Sequence, residues 1–162
     1  MKIDLRNYEI GKHYNLDFDL DFTNHEFSNN YRIRKINECH IKIDIVVFDY
    51  ITNMNIKMNG SVTGACSYTN EDVIVPYRVN ENMSFSNDED STADYYEPND
   101  IIDLDPYLIA LIDASVPLNI VKKGASLPSS GEGYQVLTEE EYLKQKSEKK
   151  DARWSVLDDL DI

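Results

Sequence analysis

Cys66, in the stretch GSVTGACSYTNEDVIVP from Gly60 to Pro76, is the first residue to weigh for chemistry. A thiol there can be a nucleophile, half of a metal or redox site, or a small buried side chain. The chain has two cysteines and three histidines in 162 residues, and Cys39 and Cys66 lie 27 positions apart, which is neither a disulfide framework nor a zinc spacing. Cys39 and His40 are neighbours, so in a strand they point to opposite faces and cannot share an ion. His13 and His25 stand in polar segments without ligand spacing. Asp17, Asp19 and Asp21 share one face of LDFDLDF, yet the glycine turn and terminal glutamate of a calcium loop are missing, so a wet strand face is expected. No glycine-rich phosphate loop, nucleophile elbow or HExxH helix occurs. Carboxylates are so numerous that no pair stands out as acid and base. The residues assign no catalytic group, metal or cofactor, and Cys66 reads as a buried strand cysteine behaving as a small hydrophobe. A binding protein is expected rather than an enzyme.

The elements that would position any site follow from periodicity. Leu16, Phe18, Leu20 and Phe22 alternate with the three aspartates over Leu16 to Phe22, the pattern of a half-buried strand. The polar stretch NHEFSNNYRIRKINE after it reads as a turn or short helix. From Cys39 to Phe85 three long runs alternate: Cys39, Ile41, Ile43, Ile45 and Val47; then Met54, Ile56, Met58, Val62 and Cys66; then Val73, Val75, Tyr77, Val79, Met83 and Phe85. Three such strands in succession predict an antiparallel meander with one face buried. Pro76 cannot donate to a ladder and marks an edge or a bulge. Gly60 and Gly64 leave inward gaps that curvature or a bulge can use. Asp105 before Pro106 predicts a helix N-cap, with Leu108, Leu111, Ile112 and Ser115 near one stripe and Pro117 ending the run.

The expected fold class is α+β: an antiparallel, curved or barrel-like sheet with a covering helix and a C-terminal helical arm. Residues 1–120 form the core, with an acidic loop at 86–103 and a helix at about 105–115. Residues 121–162 form a glycine- and serine-rich linker and an arm ending in DARWSVLDDL. The helix expected in LTEEEYLKQKSEKK has acids in its first turn and lysines at its end, but few apolar positions. The N-terminal residues resemble no signal peptide and the longest apolar run is broken by aspartates, so a cytoplasmic protein without a membrane segment is expected.

The net charge of −14 is unevenly placed. Residues 1 to 86 carry 9 basic and 12 acidic groups, residues 87 to 115 none and 9, and residues 116 to 162 7 and 9. Nucleic-acid binders gain affinity by displacing counterions from phosphates with Lys and Arg, so this balance opposes DNA binding and unaided rRNA binding. It suits a basic partner, or solubility alone.

Three features together resemble the YceD-like family, the large ribosomal RNA subunit accumulation proteins. They are the block GSVTGACSYTNEDVIVPYRV, the acidic lead-in to DIIDLDPYLIALIDASVPL, and the terminal DARWSVLDDL. The resemblance runs from about residue 35 to the end. Many members carry Cys-x-x-Cys at the central turn, where this chain reads Cys66, Ser67, Tyr68, Thr69, so a zinc or redox role of that turn is not expected here. Ala152 replaces a usual proline, which should loosen the turn before Arg153. The family implies a role in accumulation of large-subunit rRNA. Combined with charge, the expectation is a non-enzymatic factor that binds a basic large-subunit ribosomal protein or a pre-large-subunit particle, any rRNA contact being indirect. The contact residues are expected to be Tyr95, Tyr96, Asp100 and Asp103 in the acidic segment, and Asp151, Arg153, Trp154 and Leu157 in the arm, Trp154 having the alternative task of pinning the tail onto the sheet. A direct rRNA-binding assembly factor is the alternative; an enzyme with a Cys66 nucleophile ranks behind both.

Overall fold

The computed structural model describes residues 1–22, 24, 25, 27 and 32–148. The chain divides into two units, Met1–Lys122 and Lys123–Ile162. The first unit is built on β1 (Lys2–Asp4), a one-turn helix (Leu5–Asn7), β2 (His13–Asp19), β3 (Ile33–Val47), β4 (Thr52–Ala65), β5 (Asp72–Ser86), β6 (Tyr95–Tyr96), β7 (Ile101–Asp103) and α1 (Asp105–Ser115). One sheet has the order β2-β3-β4-β5-β6, and β1 pairs with β7 in a second, two-stranded sheet. The large sheet is antiparallel except for β6, which runs parallel to β5 at Phe85 and Ser86. It is open, with β2 and β6 at its edges, so of the two shapes expected the barrel is not formed. The fold class is α+β.

Every even-numbered residue from Thr52 to Met58 is buried on β4, and the alternation resumes at Val62. Ile41, Ile43, Ile45 and Ile56 are at most 1 % exposed, and burying each such side chain contributes about 1.5–3 kcal/mol. β3 begins six residues before Cys39, inside the stretch read as a turn or helix. Register shifts at Ile33/Lys35 and Ile36/Glu38 stretch the inward spacing from two residues to three, so Ile33, Ile36 and Cys39 all face the core. Across from these bulges Gly60 supplies the space: a Cβ there would lie 1.9 Å from the Glu38 carbonyl oxygen. The Tyr77 hydroxyl donates to that same oxygen at 3.0 Å. At Pro76, β5 pairs with β4 alone among the described residues, the edge position that proline requires.

On α1, Leu108 and Ile112 are buried whereas Leu111 and Ser115 are half-buried. The buried stripe is Leu104, Leu108, Ile112, Val116 and Ile120, which joins the same core as the sheet. Asp105 is not the N-cap. Leu104 holds that position in helical backbone without a side-chain cap, while the Asp103 carboxylate accepts from the Asp105 amide at 3.3 Å. The apolar residue is drawn to the cap because the core claims it. At the other end Arg32 reaches over from the start of β3, donating to the carbonyls of Asp113 and Val116 and pairing with the Asp113 carboxylate at 2.5 Å. A cation from elsewhere thus satisfies the negative end of a helix that has no basic residue in its own last turn.

In the second unit α2 spans Glu139–Glu148. Thr138 and Glu141 exchange hydrogen bonds, amide to hydroxyl at 3.2 Å and amide to carboxylate at 2.8 Å, a capping box that starts the helix. Tyr142 and Leu143 are more than half exposed, in keeping with its few apolar positions. The arm DARWSVLDDL lies outside the described residues. Among those described, no helix is long and apolar enough to cross a membrane.

Candidate partner-binding site

The acidic segment after β5 is folded onto the sheet. Ser86 begins it: its hydroxyl donates to the Tyr50 carbonyl at 2.7 Å and accepts from the Asp88 amide at 3.0 Å. Asp94 then returns the chain to β5 through three hydrogen bonds with Ser84. This brings Tyr95 beside Phe85, ring centroids 5.4 Å apart and nearly parallel, while Tyr107 of α1 meets both rings edge-on at 4.7 and 5.3 Å. The Tyr107 hydroxyl donates to Glu97 at 2.6 Å, and that bond to a carboxylate, with burial, pushes its pKa up to about 12.

Tyr95 is therefore partly committed to the fold, at 38 % exposure, and Tyr96 is the freer ring at 51 %. Asp100 fixes the one-turn helix through its carbonyl, which accepts from the Leu5 amide at 2.7 Å, and the residue lines a cleft together with Glu97 and Asp49. Asp103, next to Ile102 of that cleft, has its carboxylate 3.5 Å from the Met1 amino group. The structure thus groups Tyr95 with Tyr107, and Asp100 with Glu97. Tyr95 and Tyr96 stand on β6 at the sheet edge and Asp103 on β7. Asp151, Arg153, Trp154 and Leu157 lie outside the described residues.

Cys66 is buried, as its alternation with Val62 predicts, but its surroundings differ from the sequence reading. Cys66 is 2 % exposed but stands outside the main apolar cluster. The Lys122 amide donates to its sulfur at 3.4 Å, and the Thr69 hydroxyl and the Tyr68 and Thr69 amides add to it, holding the thiol down to about 7. It is a polar-capped turn residue, and the small hydrophobe is Cys39, whose thiol burial pushes up. His40 is the outward neighbour expected, bridging Asp17 at 3.1 Å and Asp19 at 2.8 Å across the sheet. Lys42 also pairs with Asp17 and holds its carboxyl below the usual range. Opposite charges across the strands occupy the aspartate face of β2. Among the described residues no three His, Cys, Asp or Glu side chains gather as metal ligands.

A family model described as large ribosomal RNA subunit accumulation protein YceD matches residues 54–161, about two thirds of the chain. The chain belongs to the YceD family. The match begins within β4 rather than near residue 35, so the YceD signature here includes the Cys66 turn, the acidic segment and α1, and leaves β1, β2 and β3 outside it. No curated protein and no solved structure matches the chain. The YceD name ties this protein to accumulation of the large ribosomal subunit's RNA.

Proposed function

We propose that this protein is a non-enzymatic assembly factor that supports large-subunit rRNA accumulation by binding a basic large-subunit ribosomal protein, or an assembly intermediate that displays one. The observation that carries this reading is the segment 87–115, with nine carboxylates and no basic side chain, folded against the sheet edge beside exposed Tyr96. A loop already ordered by Ser84 and Ser86 loses little conformational freedom when a partner docks. Its concentrated negative potential speeds encounter with a basic protein and disfavours bare phosphate. Asp88, Glu89, Asp90, Asp100 and Asp103 supply charge, and Tyr96, with the free edge of Tyr95, supplies apolar contact. Asp151, Arg153, Trp154 and Leu157 are proposed as a second contact.

The test is affinity capture with tagged protein across a salt series. Basic large-subunit proteins or precursor particles are expected to be retained at low salt and released towards 1 M, where the screening length is about 3 Å. Capture of neither refutes the reading. Release by RNase of all bound material turns it into the direct rRNA-binding alternative.

A further inference from the structure

At one end of the sheet, where β3 stops and β4 starts, a cleft of about 260 Å³ opens between the Leu5–Ile10 segment, the Phe48–Ile51 turn and the stretch from Glu97 to Ile102. Its floor is apolar and buried, formed by Val47, Phe85 and Ile102. Its walls are apolar and open: Ile10 is 63 % exposed, Phe48 48 % and Tyr50 71 %. Three acidic residues, Asp49, Glu97 and Asp100, belong to the lining, the Glu97 carboxylate also accepting from Tyr107. Arg6 is there too, but Asp4 clamps its guanidinium in two parallel bonds of 2.8 and 2.6 Å, and with Asp100 holds it protonated beyond its ordinary range. The volume falls below the roughly 300–1,000 Å³ of small-molecule sites and fits one or two side chains. An apolar socket ringed by acids is complementary to a side chain that is apolar itself and flanked by lysines or arginines.

We propose that this cleft is the anchor socket for a basic segment of the protein partner, taking one aromatic or branched aliphatic side chain between Tyr50 and Ile10 while flanking cations meet Asp49, Glu97 and Asp100. This rests on the reading of the protein as a binder of basic proteins and gives that binding a place. Diffuse attraction to the acidic loop would accept any basic chain, whereas the socket selects those with an apolar residue in register.

The probes are two fluorescein-labelled octapeptides, KRKFGKRK and KRKSGKRK, titrated against the full chain at low salt. The phenylalanine peptide is expected to bind about tenfold tighter, the effect of burying one aromatic side chain. Tyr50→Ala, which removes an exposed side chain and keeps the carbonyl that Ser86 uses, is expected to abolish most of that preference. Asp49→Asn with Asp100→Asn is expected to weaken both peptides alike. Equal binding of the two peptides, no binding of either, or an undiminished preference in Tyr50→Ala overturns the socket. The two readings fail separately. Wild-type protein that captures no large-subunit material refutes the proposed function whatever the peptides do, whereas equal peptide affinities remove the socket even if capture succeeds.

Discussion

Asp94 and Ser84 are joined by three hydrogen bonds: the Asp94 carboxylate accepts from the Ser84 hydroxyl at 2.7 Å and amide at 2.9 Å, and the Ser84 hydroxyl accepts from the Asp94 amide at 2.9 Å. This pair fixes the acidic segment to β5. Asp94→Ala should raise hydrogen exchange severalfold at the Ser84 amide and through residues 87–94, while the amides of Ile43 and Ile56 stay protected. The Ser84 hydroxyl and amide also hold the Asp94 carboxyl below the usual range. A depressed carboxylate stabilises above its ordinary value and loses that contribution as pH falls through the lowered one. Loop protection should therefore persist at pH 5 and fade only below the ordinary aspartate value of 3.8. Unchanged exchange in Asp94→Ala would show that the loop is held by something else.

The two strand glycines should differ in their tolerance of a methyl group. At Gly60 it would meet backbone, 1.9 Å from the Glu38 oxygen and 2.7 Å from its carbon; at Gly64 the nearest atom is the movable Cδ1 of Ile120, at 2.3 Å. Gly60→Ala should cost about 1–3 kcal/mol in denaturant unfolding, and Gly64→Ala distinctly less. The reverse order would contradict the role given to the β3 bulges.

Cys66 should titrate as the more acidic of the two thiols. Its folded value of about 7 lies below the ordinary 9.0, so the contribution to stability is present above 9 and lost as pH falls through 7. Thiolate absorbance of the native protein should rise with a midpoint near 7, and Thr69→Val should move that midpoint upward. Cys66→Ser should still complement a strain lacking the protein, since the sulfur serves the turn. Loss of complementation with the fold intact would revive the nucleophile.

Tyr107 shows the opposite sign. Its pKa, raised by Glu97 and burial to about 12, means that the contact stabilises fully below the ordinary value of 10 and is lost as pH climbs through 12. Tyr107→Phe should cost about 1 kcal/mol at neutral pH, with the difference from wild type shrinking between pH 10 and 12. A constant difference across that range would remove Glu97 from the account.

The long strands were legible because β4 keeps period two without interruption from Thr52 to Met58. The first third of β3 was not, because two bulges replaced that period with steps of three, and Ile33, Ile36 and Cys39 no longer look like one face. β1, β6 and β7 are two or three residues long and exist only through remote pairing, such as Ile3 with Ile102, which no local pattern announces. The charge of the acidic segment could be read, but its attachment could not, since Ser84 and Asp94 are ordinary residues until the loop folds. Arg6, Ile10, Phe48 and Tyr50 were missed for the same reason: the cleft they line is assembled from four separated segments. The deviation of Cys66 from its expected environment arises from the Lys122 amide, 56 positions away.

The most direct test of the central claim is sedimentation of ribosomes from cells lacking the protein, complemented either with wild type or with Asp88→Asn, Glu89→Gln, Asp90→Asn and Asp100→Asn combined. The account predicts a diminished free large-subunit peak that wild type restores and the neutralised variant, folded and equally abundant, does not. Full restoration by the neutralised variant would contradict it.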